Sequence, residues 1–362
     1  LPVISDDLRL FKQFTLIMRF EMTINLTHFL NQPLTIGTRQ IQTRLSLAPM
    51  ARLGNVAFRE LVSSFGGYGL LFTEMCSSKT VAQGNGPKWT GFRWRKAELS
   101  ELVCQLFGND PGMMAVAARR VEHEGFFGVD INFGCSVHAL CKQNCGAALL
   151  KQPALAAEIV SSVRRSVACP VFVKFRTGWQ DDPQIAVDLA RRFEDAGADA
   201  LSFHPRVAPD RRTRLPKWEY IGNVKASVDI PVFGNGNVFD AGDCSKMIET
   251  TGCDAVMVGR LAVAKPWIFS SLSGDYQPEP ETCADCALKL LKQLPEYYDV
   301  TTALRRFKEF MSYFAANFRF GHSLYLQIRR QDTLNAVEET IVRFFNTQPE
   351  MMASKPNISL FR

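Results

Sequence analysis

Residues 128–206 carry three short apolar runs, GVDINFG (128–134), VFVKFR (171–176) and ALSFHPR (200–206), each ending on polar side chains. Between them lie QPALAAEIVSSVRRSV (152–167) and PQIAVDLARRFEDAG (183–197), with apolar residues at helical spacing. Strand, helix, strand, helix, strand is the pattern of parallel strands joined by right-handed crossovers. The same rhythm extends outward. LSLAPM (45–50), LLFTEM (70–75) and LVCQLFG (102–108) precede it, and PVFGNGN (231–237) and AVMVGR (255–260) follow. Helix patterns over 55–65, 111–125 and 240–252 fill further gaps. Eight strands alternating with helices predict an α/β fold of the (β/α)8 TIM barrel type, whose chemistry sits at the C-terminal strand ends. Those ends carry Pro49 and Met50, Glu74, Gln105, Asn132 with Cys135, Lys174 with Arg176, His204 with Arg206, Asn235 with Gly236, and Gly259 with Arg260.

A barrel takes about 250 residues, and this chain has 362. The barrel is expected over 35–276. QPEPET (277–282) reads as a linker. Residues 283–345 read as a C-terminal all-α helical bundle, with Leu288, Leu291, Leu294, Leu304, Phe307, Phe310, Met311 and Phe314 at spacings of three and four. The aromatics among them are expected in its core. A tail covers 346–362, and an extension with no assigned role covers 1–34. PLTIGTRQIQTR (33–44) alternates around Gly37 and predicts a β-hairpin plugging the bottom of the barrel. The long segments 76–100 and 135–151 fall at the catalytic end, where such loops shape substrate sites.

The charge of +6 permits a polyanionic partner without demanding one. Basic residues group at Arg211, Arg212, Arg214 and Lys217, at Arg305, Arg306 and Lys308, and at Arg319, Arg329 and Arg330. Ten scattered cysteines, several inside apolar runs, fit buried thiols in a reducing compartment. A cytoplasmic location is the matching expectation, since no apolar stretch is long enough to span a membrane and the start lacks a signal-peptide pattern.

GNGN (234–237) and Gly259-Arg260 end strands seven and eight, the corner where barrels bind phosphate. Lys174 at the mouth would be costly to bury without an anionic or electron-rich partner, and a flavin would suit it. Cys135, on a loop over the mouth, can donate a proton or act as a nucleophile. Cys141 and Cys145 follow it, but Cys283-x-x-Cys286 is a single pair without a suitably spaced histidine, so no metal site is expected.

Taken in order, LAPM, TEM, QLFG, VDINFGC followed by GAALL (146–150), VKFRTGW, H-x-R, GNGN and GCDAVMVGR resemble the tRNA-dihydrouridine synthases over about 35–345. The resemblance implies an FMN oxidoreductase that uses NADPH or NADH to reduce a uridine C5=C6 bond in tRNA, with the helical segment binding the tRNA. It implies that Pro49 and Met50 line the flavin, that Gln105 and Lys174 contact its ring, and that His204 lies beside it. Asn235, Gly236, Gly259 and Arg260 would hold its phosphate and ribityl chain. Asn132 and Arg176 would grip the uracil, and Cys135 would be the general acid.

This chain departs from the family pattern at Ser136, where proline usually follows the cysteine, and at Pro205, where glycine is common. Proline there removes a backbone donor near the phosphate. Two other readings stand beside this one. One is an FMN barrel acting on a small molecule of the dihydroorotate or dihydropyrimidine type. The other is an RNA-binding barrel without turnover.

Overall fold

The computed structural model describes residues 24–83, 91–208, 210, 214–274, 276–352, 355 and 356. Arg211, Arg212 and residues 1–23 lie outside them.

A hairpin, β1 (Leu34–Ile36) and β2 (Arg39–Ile41), precedes the barrel. The barrel strands are β3 (Leu45–Leu47), β4 (Leu71–Phe72), β6 (Leu102–Phe107), β7 (Gly128–Phe133), β8 (Val171–Gly178), β9 (Ala200–Val207), β10 (Val232–Asn235) and β11 (Ala255–Val258). All neighbouring pairs are parallel, in the order β3-β11-β10-β9-β8-β7-β6-β4. The ring closes where Leu47 N donates to Leu70 O at 3.0 Å and Gly69 N to Leu45 O at 2.8 Å. The expected eight-stranded TIM barrel is therefore present. A further short strand, β5 (Cys76–Ser77), pairs with β6 inside the segment read as a loop.

Alternation along each strand decides what enters the barrel. On β8, Val171, Val173 and Phe175 pack outward in the larger apolar core shared with the surrounding helices. Phe172 belongs to a separate interior core with Phe72, Val103, Phe127, Ala200, Phe233, Ala255 and Met257. Ile36 and Ile41 join that inner core, so the hairpin plugs the barrel as its pattern predicts. Phe72, Phe172 and Phe233 meet edge-on at 5.7 and 6.1 Å. Continuing by two residues from Phe172 puts Lys174 and then Arg176 on the inner face, above an apolar floor.

The barrel helices start where the sequence supplies caps. Asp110 accepts from Met113 N at 2.6 Å and Asp182 from Gln184 N at 2.9 Å, each followed by proline at the first helical position. Residues 24–34 belong to this body: Leu30 in the helix Leu26–Leu30 is fully buried, and Asn31 Nδ2 donates to Ser273 O at 2.6 Å.

The helices Pro280–Tyr297, Val300–Phe314, Gly321–Arg329 and Leu334–Phe345 pack on one another. Leu291, Leu294, Phe307, Phe310, Met311 and Phe314 are buried, with Leu288 and Leu304 partly so, as their spacing predicts. An aromatic ladder ties this bundle to the barrel. Phe310 lies 6.2 Å from Phe58 and 4.9 Å from Phe314, which meets Trp267 at 6.4 Å. Among the described residues no helix is long and apolar enough to cross a membrane.

Candidate active site

A cavity of about 330 Å³ opens at the C-terminal ends of the strands. Every residue to which the family resemblance gives a site role lines it: Pro49, Met50, Gln105, Asn132, Cys135, Lys174, Arg176, His204, Asn235, Gly236, Gly259 and Arg260; the strand-end residues Glu74 and Arg206 do not.

The first correction concerns Lys174. The sequence reading left it without an anionic partner inside the protein. Asp130, on the inner face of β7, is fully buried beneath it and attracts it. Burial pushes the Asp130 carboxyl up, opposed by the hydrogen bond from Gln105 and by Lys174. Burial likewise pulls Lys174 down, with Asp130 resisting and Arg176 assisting. Lys174 Nζ also donates to Asn235 Oδ1 at 3.1 Å. Asp130 was missed because its carboxylate sits in a run that reads as plain strand.

Asp130 starts a chain of polar contacts that ends at the thiol loop. Gln105 Nε2 donates to Asp130 Oδ2 at 2.7 Å, and Asn132 Nδ2 donates to Gln105 Oε1 at 2.8 Å. Asn132 Oδ1 accepts from Gly134 N and Cys135 N at 3.1 and 2.9 Å. Asn132 thus holds the loop and orients Gln105, and one of its amide hydrogens is left for a ligand. On the far side, Ala147 N donates to Cys135 O at 2.9 Å. Gly146, at φ +61°, permits that approach, because a Cβ there would lie 2.6 Å from Cys135 O. Cys135 is pinned from both directions, so Ser136 does not leave its backbone loose. Burial pushes the Cys135 thiol up, partly offset by a backbone hydrogen bond from Val137 and by Arg176 and Lys174. It therefore carries its proton at neutral pH.

The opposite end of the cavity is strongly basic. Asn237 Oδ1 accepts from Arg206 Nη2 and from Arg260 Nη2, both at 3.0 Å. Two guanidiniums thus converge on one amide oxygen. The sequence reading named Arg206 only as a strand-end residue and Asn237 only within GNGN, with no role for either. Gly236, at φ +124°, lies against His204, whose ring carbon Cδ2 would sit 2.8 Å from any Cβ. Burial, and then Arg176, Lys174, Arg206 and Arg260, hold His204 well below the usual histidine range, so its ring is neutral. Pro205 sits at a register shift between β8 and β9, where Arg176 pairs with His204 but Gly178 with Val207. A bulge needs no ladder donor there, so proline is tolerated. Among the described lining residues there are three cations, Lys174, Arg176 and Arg260, and no carboxylate. Such a wall suits an anionic, phosphate-bearing ligand.

The basic clusters divide. Lys217 pairs with Asp181 at 2.8 Å, Arg214 with Asp210 at 3.2 Å and Arg319 with Glu350 at 2.7 Å. Arg306 is turned inward and buried, so it is no surface contact for a polyanion. Arg305, Lys308 and Arg329 line an open groove of about 440 Å³ with Tyr325 and Ser312. Its one acidic residue, Glu309, pairs with Arg52 on the loop after β3 at 3.1 Å, so the groove adjoins the barrel mouth. No disulfide or cluster of three metal-ligating side chains occurs among the described residues.

Comparison with known proteins agrees with this architecture. The family model described as dihydrouridine synthase matches residues 46–346. The chain belongs to the dihydrouridine synthase family. It is 34% identical to tRNA-dihydrouridine synthase B of Pseudomonas aeruginosa, over 86% of this chain and 95% of that one. It is 32% identical to a probable tRNA-dihydrouridine synthase of Mycobacterium tuberculosis, over 87% and 86%. The old yellow enzyme of Trypanosoma cruzi shares the fold, with a TM-score of 0.52 and 13% identity, over 71% of this chain and 95% of that one. In this dihydrouridine synthase family member, the matched span takes in the whole cavity and the basic groove.

Proposed function

We propose that this protein reduces the C5=C6 bond of a uridine in tRNA to 5,6-dihydrouridine, with FMN as cofactor and NADPH or NADH as the electron source. Family membership supports the reaction. The observation that carries the site assignment is one cavity lined by a protonated thiol, an inward lysine and Arg260, whose guanidinium converges with that of the buried Arg206 on Asn237.

FMN fits the residues present. Its phosphate matches Arg260, backed by the buried Arg206 through their shared Asn237, and the Gly236 turn, where a side chain would strike His204. Lys174, held by Asn235, suits an electron-rich ring edge. Gln105, oriented by Asp130 and Asn132, offers its remaining amide hydrogen. FMN held there, once reduced by NADPH or NADH, would supply the hydride that saturates C6. Cys135 holds the proton at Sγ and delivers it to C5, and Arg176 and Lys174 lower the cost of the thiolate left behind. Neutral His204 can hydrogen-bond without adding charge. The base must leave its stack to reach the cavity. The groove of Arg305, Lys308 and Arg329 holds the tRNA through its phosphates, because a pocket for one base does not select a tRNA. The bundle of 283–345 is the tRNA-binding domain in this reading, and the barrel of 35–276 the catalytic one.

Mass mapping of tRNA from cells with and without the protein tests the reaction. The expected result is the gain of one molecule of hydrogen at one uridine position. Identical maps would sink the reading.

Lys174 yields a pH test. Its proton is lost at a lower pH than for an exposed lysine, because burial disfavours the charge. FMN binding that needs the charged form weakens as pH rises from neutral, before ordinary lysines titrate. Lys174→Met is expected to bind FMN about tenfold more weakly at neutral pH and to lose this alkaline limb. Titration of the cofactor-free protein with FMN across pH, followed by flavin fluorescence, checks both.

A further inference from the structure

One buried ion pair joins the helical bundle to the rim of the barrel. Glu74 lies just past the end of β4, and Arg306 comes from the middle of the helix Val300–Phe314; their side chains are 8% and 5% exposed. Arg306 Nη1 lies 3.2 Å from Glu74 Oε1 and 3.1 Å from Oε2, and it donates to Arg52 O at 2.7 Å. Glu74 Oε1 in turn accepts from Arg52 N at 2.5 Å. Both polar groups of the Arg52 backbone are thus held by one ion pair. The Arg306 guanidinium also stacks over the Tyr298 ring at 4.4 Å.

Arg52 has φ +66°, the left-handed region. A non-glycine residue pays about 1–2 kcal/mol to sit there. The turn it makes, 51–54, follows directly on Pro49 and Met50, and Pro49, Met50 and Ala51 form one wall of the cavity. Gly54 N closes the turn by donating to Met50 O at 2.8 Å. A strained turn beside a ligand wall persists only where its surroundings hold it. Here one holding group, Arg306, comes from the bundle and acts beside two from the barrel, Glu74 and Asn55, whose Nδ2 donates to Arg52 O at 3.1 Å.

We infer that the Arg306–Glu74 pair is a clasp through which the helical bundle shapes the cofactor pocket. Arg306 and Glu74 are positioning residues, acting on the Pro49–Ala51 wall by way of Arg52. The bundle is then a structural part of the flavin site as well as a surface for the nucleic acid. Neighbours on one helix divide the two roles: Arg305 lines the outer groove, while Arg306 grips the barrel rim. This inference rests on the proposal that the cavity holds FMN.

The test is FMN titration of the cofactor-free full-length protein, followed by flavin fluorescence, with far-ultraviolet circular dichroism as a check on folding. Arg306→Ala and Glu74→Gln are each expected to weaken FMN binding about tenfold, because each breaks a charge-assisted hydrogen bond in the clasp. The double variant is expected to be no weaker than the worse single one, since both remove the same device. Lys292→Ala, which breaks an exposed bundle ion pair with Glu338, is expected to leave FMN binding unchanged. The decisive variant is Arg306→Ala combined with Arg52→Gly. Glycine adopts the left-handed turn without strain, so the combination is expected to recover most of the lost affinity. A general loss of packing in the bundle would not be rescued that way. Wild-type affinity in the folded Arg306→Ala and Glu74→Gln variants would overturn the inference alone, as would failure of Arg52→Gly to restore binding. No FMN uptake by the wild-type protein would overturn the functional reading itself.

Discussion

Cys135→Ala is expected to lower the rate of tRNA reduction by about 100- to 10,000-fold, the usual contribution of a positioned general acid. FMN binding and tRNA binding should stay at wild-type levels. Burial pushes the Cys135 thiol up, so the group holds its proton through the neutral range and can give it away. Arg176 and Lys174 then face the thiolate and limit the penalty of forming it in a buried place. The loop is held by backbone groups, with Cys135 N bonded to Asn132 and Cys135 O to Ala147. Removing the sulfur therefore leaves the loop in place. The measurement is a single turnover: reduced enzyme mixed with unmodified tRNA, with the return of the oxidised flavin absorbance followed in time. A normal rate would mean that another group supplies the proton. Cys141 would come next, since its Sγ lies 3.6 Å from Cys135 O, whereas Cys145 is buried and turned toward Gln143 O.

What the sequence made legible follows from the strand period. Once β8 is read as alternating, Phe172, Lys174 and Arg176 must share one face, and the mouth residues follow strand by strand. Of the strand-end residues named that way, all but Glu74 and Arg206 line one cavity. The hidden part depends on contacts between distant segments. Asp130 reads as an ordinary strand residue until Gln105 and Lys174 are seen above it. Asn237 becomes informative only when Arg206 and Arg260 reach it from other strands. Charge counting placed Arg306 with Arg305 and Lys308, yet a helix turns neighbours about 100° apart, and Arg306 faces inward. Sequence pattern also read 277–282 as a linker between barrel and bundle. Phe58 and Trp267 of the barrel pack on Phe310 and Phe314 of the bundle, so removing it would expose large aromatic surface.

The second large effect is expected from Arg305→Glu, Lys308→Glu and Arg329→Glu combined. These three basic side chains line the open groove, with Arg305 and Arg329 exposed and Lys308 half-buried. The one carboxylate of that groove, Glu309, is engaged by Arg52 and offsets them only in part. Nucleic-acid affinity of this kind comes from counterion release, so each lost phosphate contact lowers the salt slope by about one. Three reversals should cut tRNA affinity at least about 100-fold at low salt and flatten its salt dependence. FMN binding should not move, since none of the three touches the cavity. Filter binding or anisotropy over a range of salt concentrations separates this from misfolding. A weakened affinity with an unchanged salt slope would mean that the groove does not contact the backbone. The groove matters because of its place: Glu309 pairs with Arg52, whose turn follows the cavity wall. A tRNA gripped by phosphates there would lie beside the cavity that Cys135 lines, which is what presenting one uridine to one thiol requires.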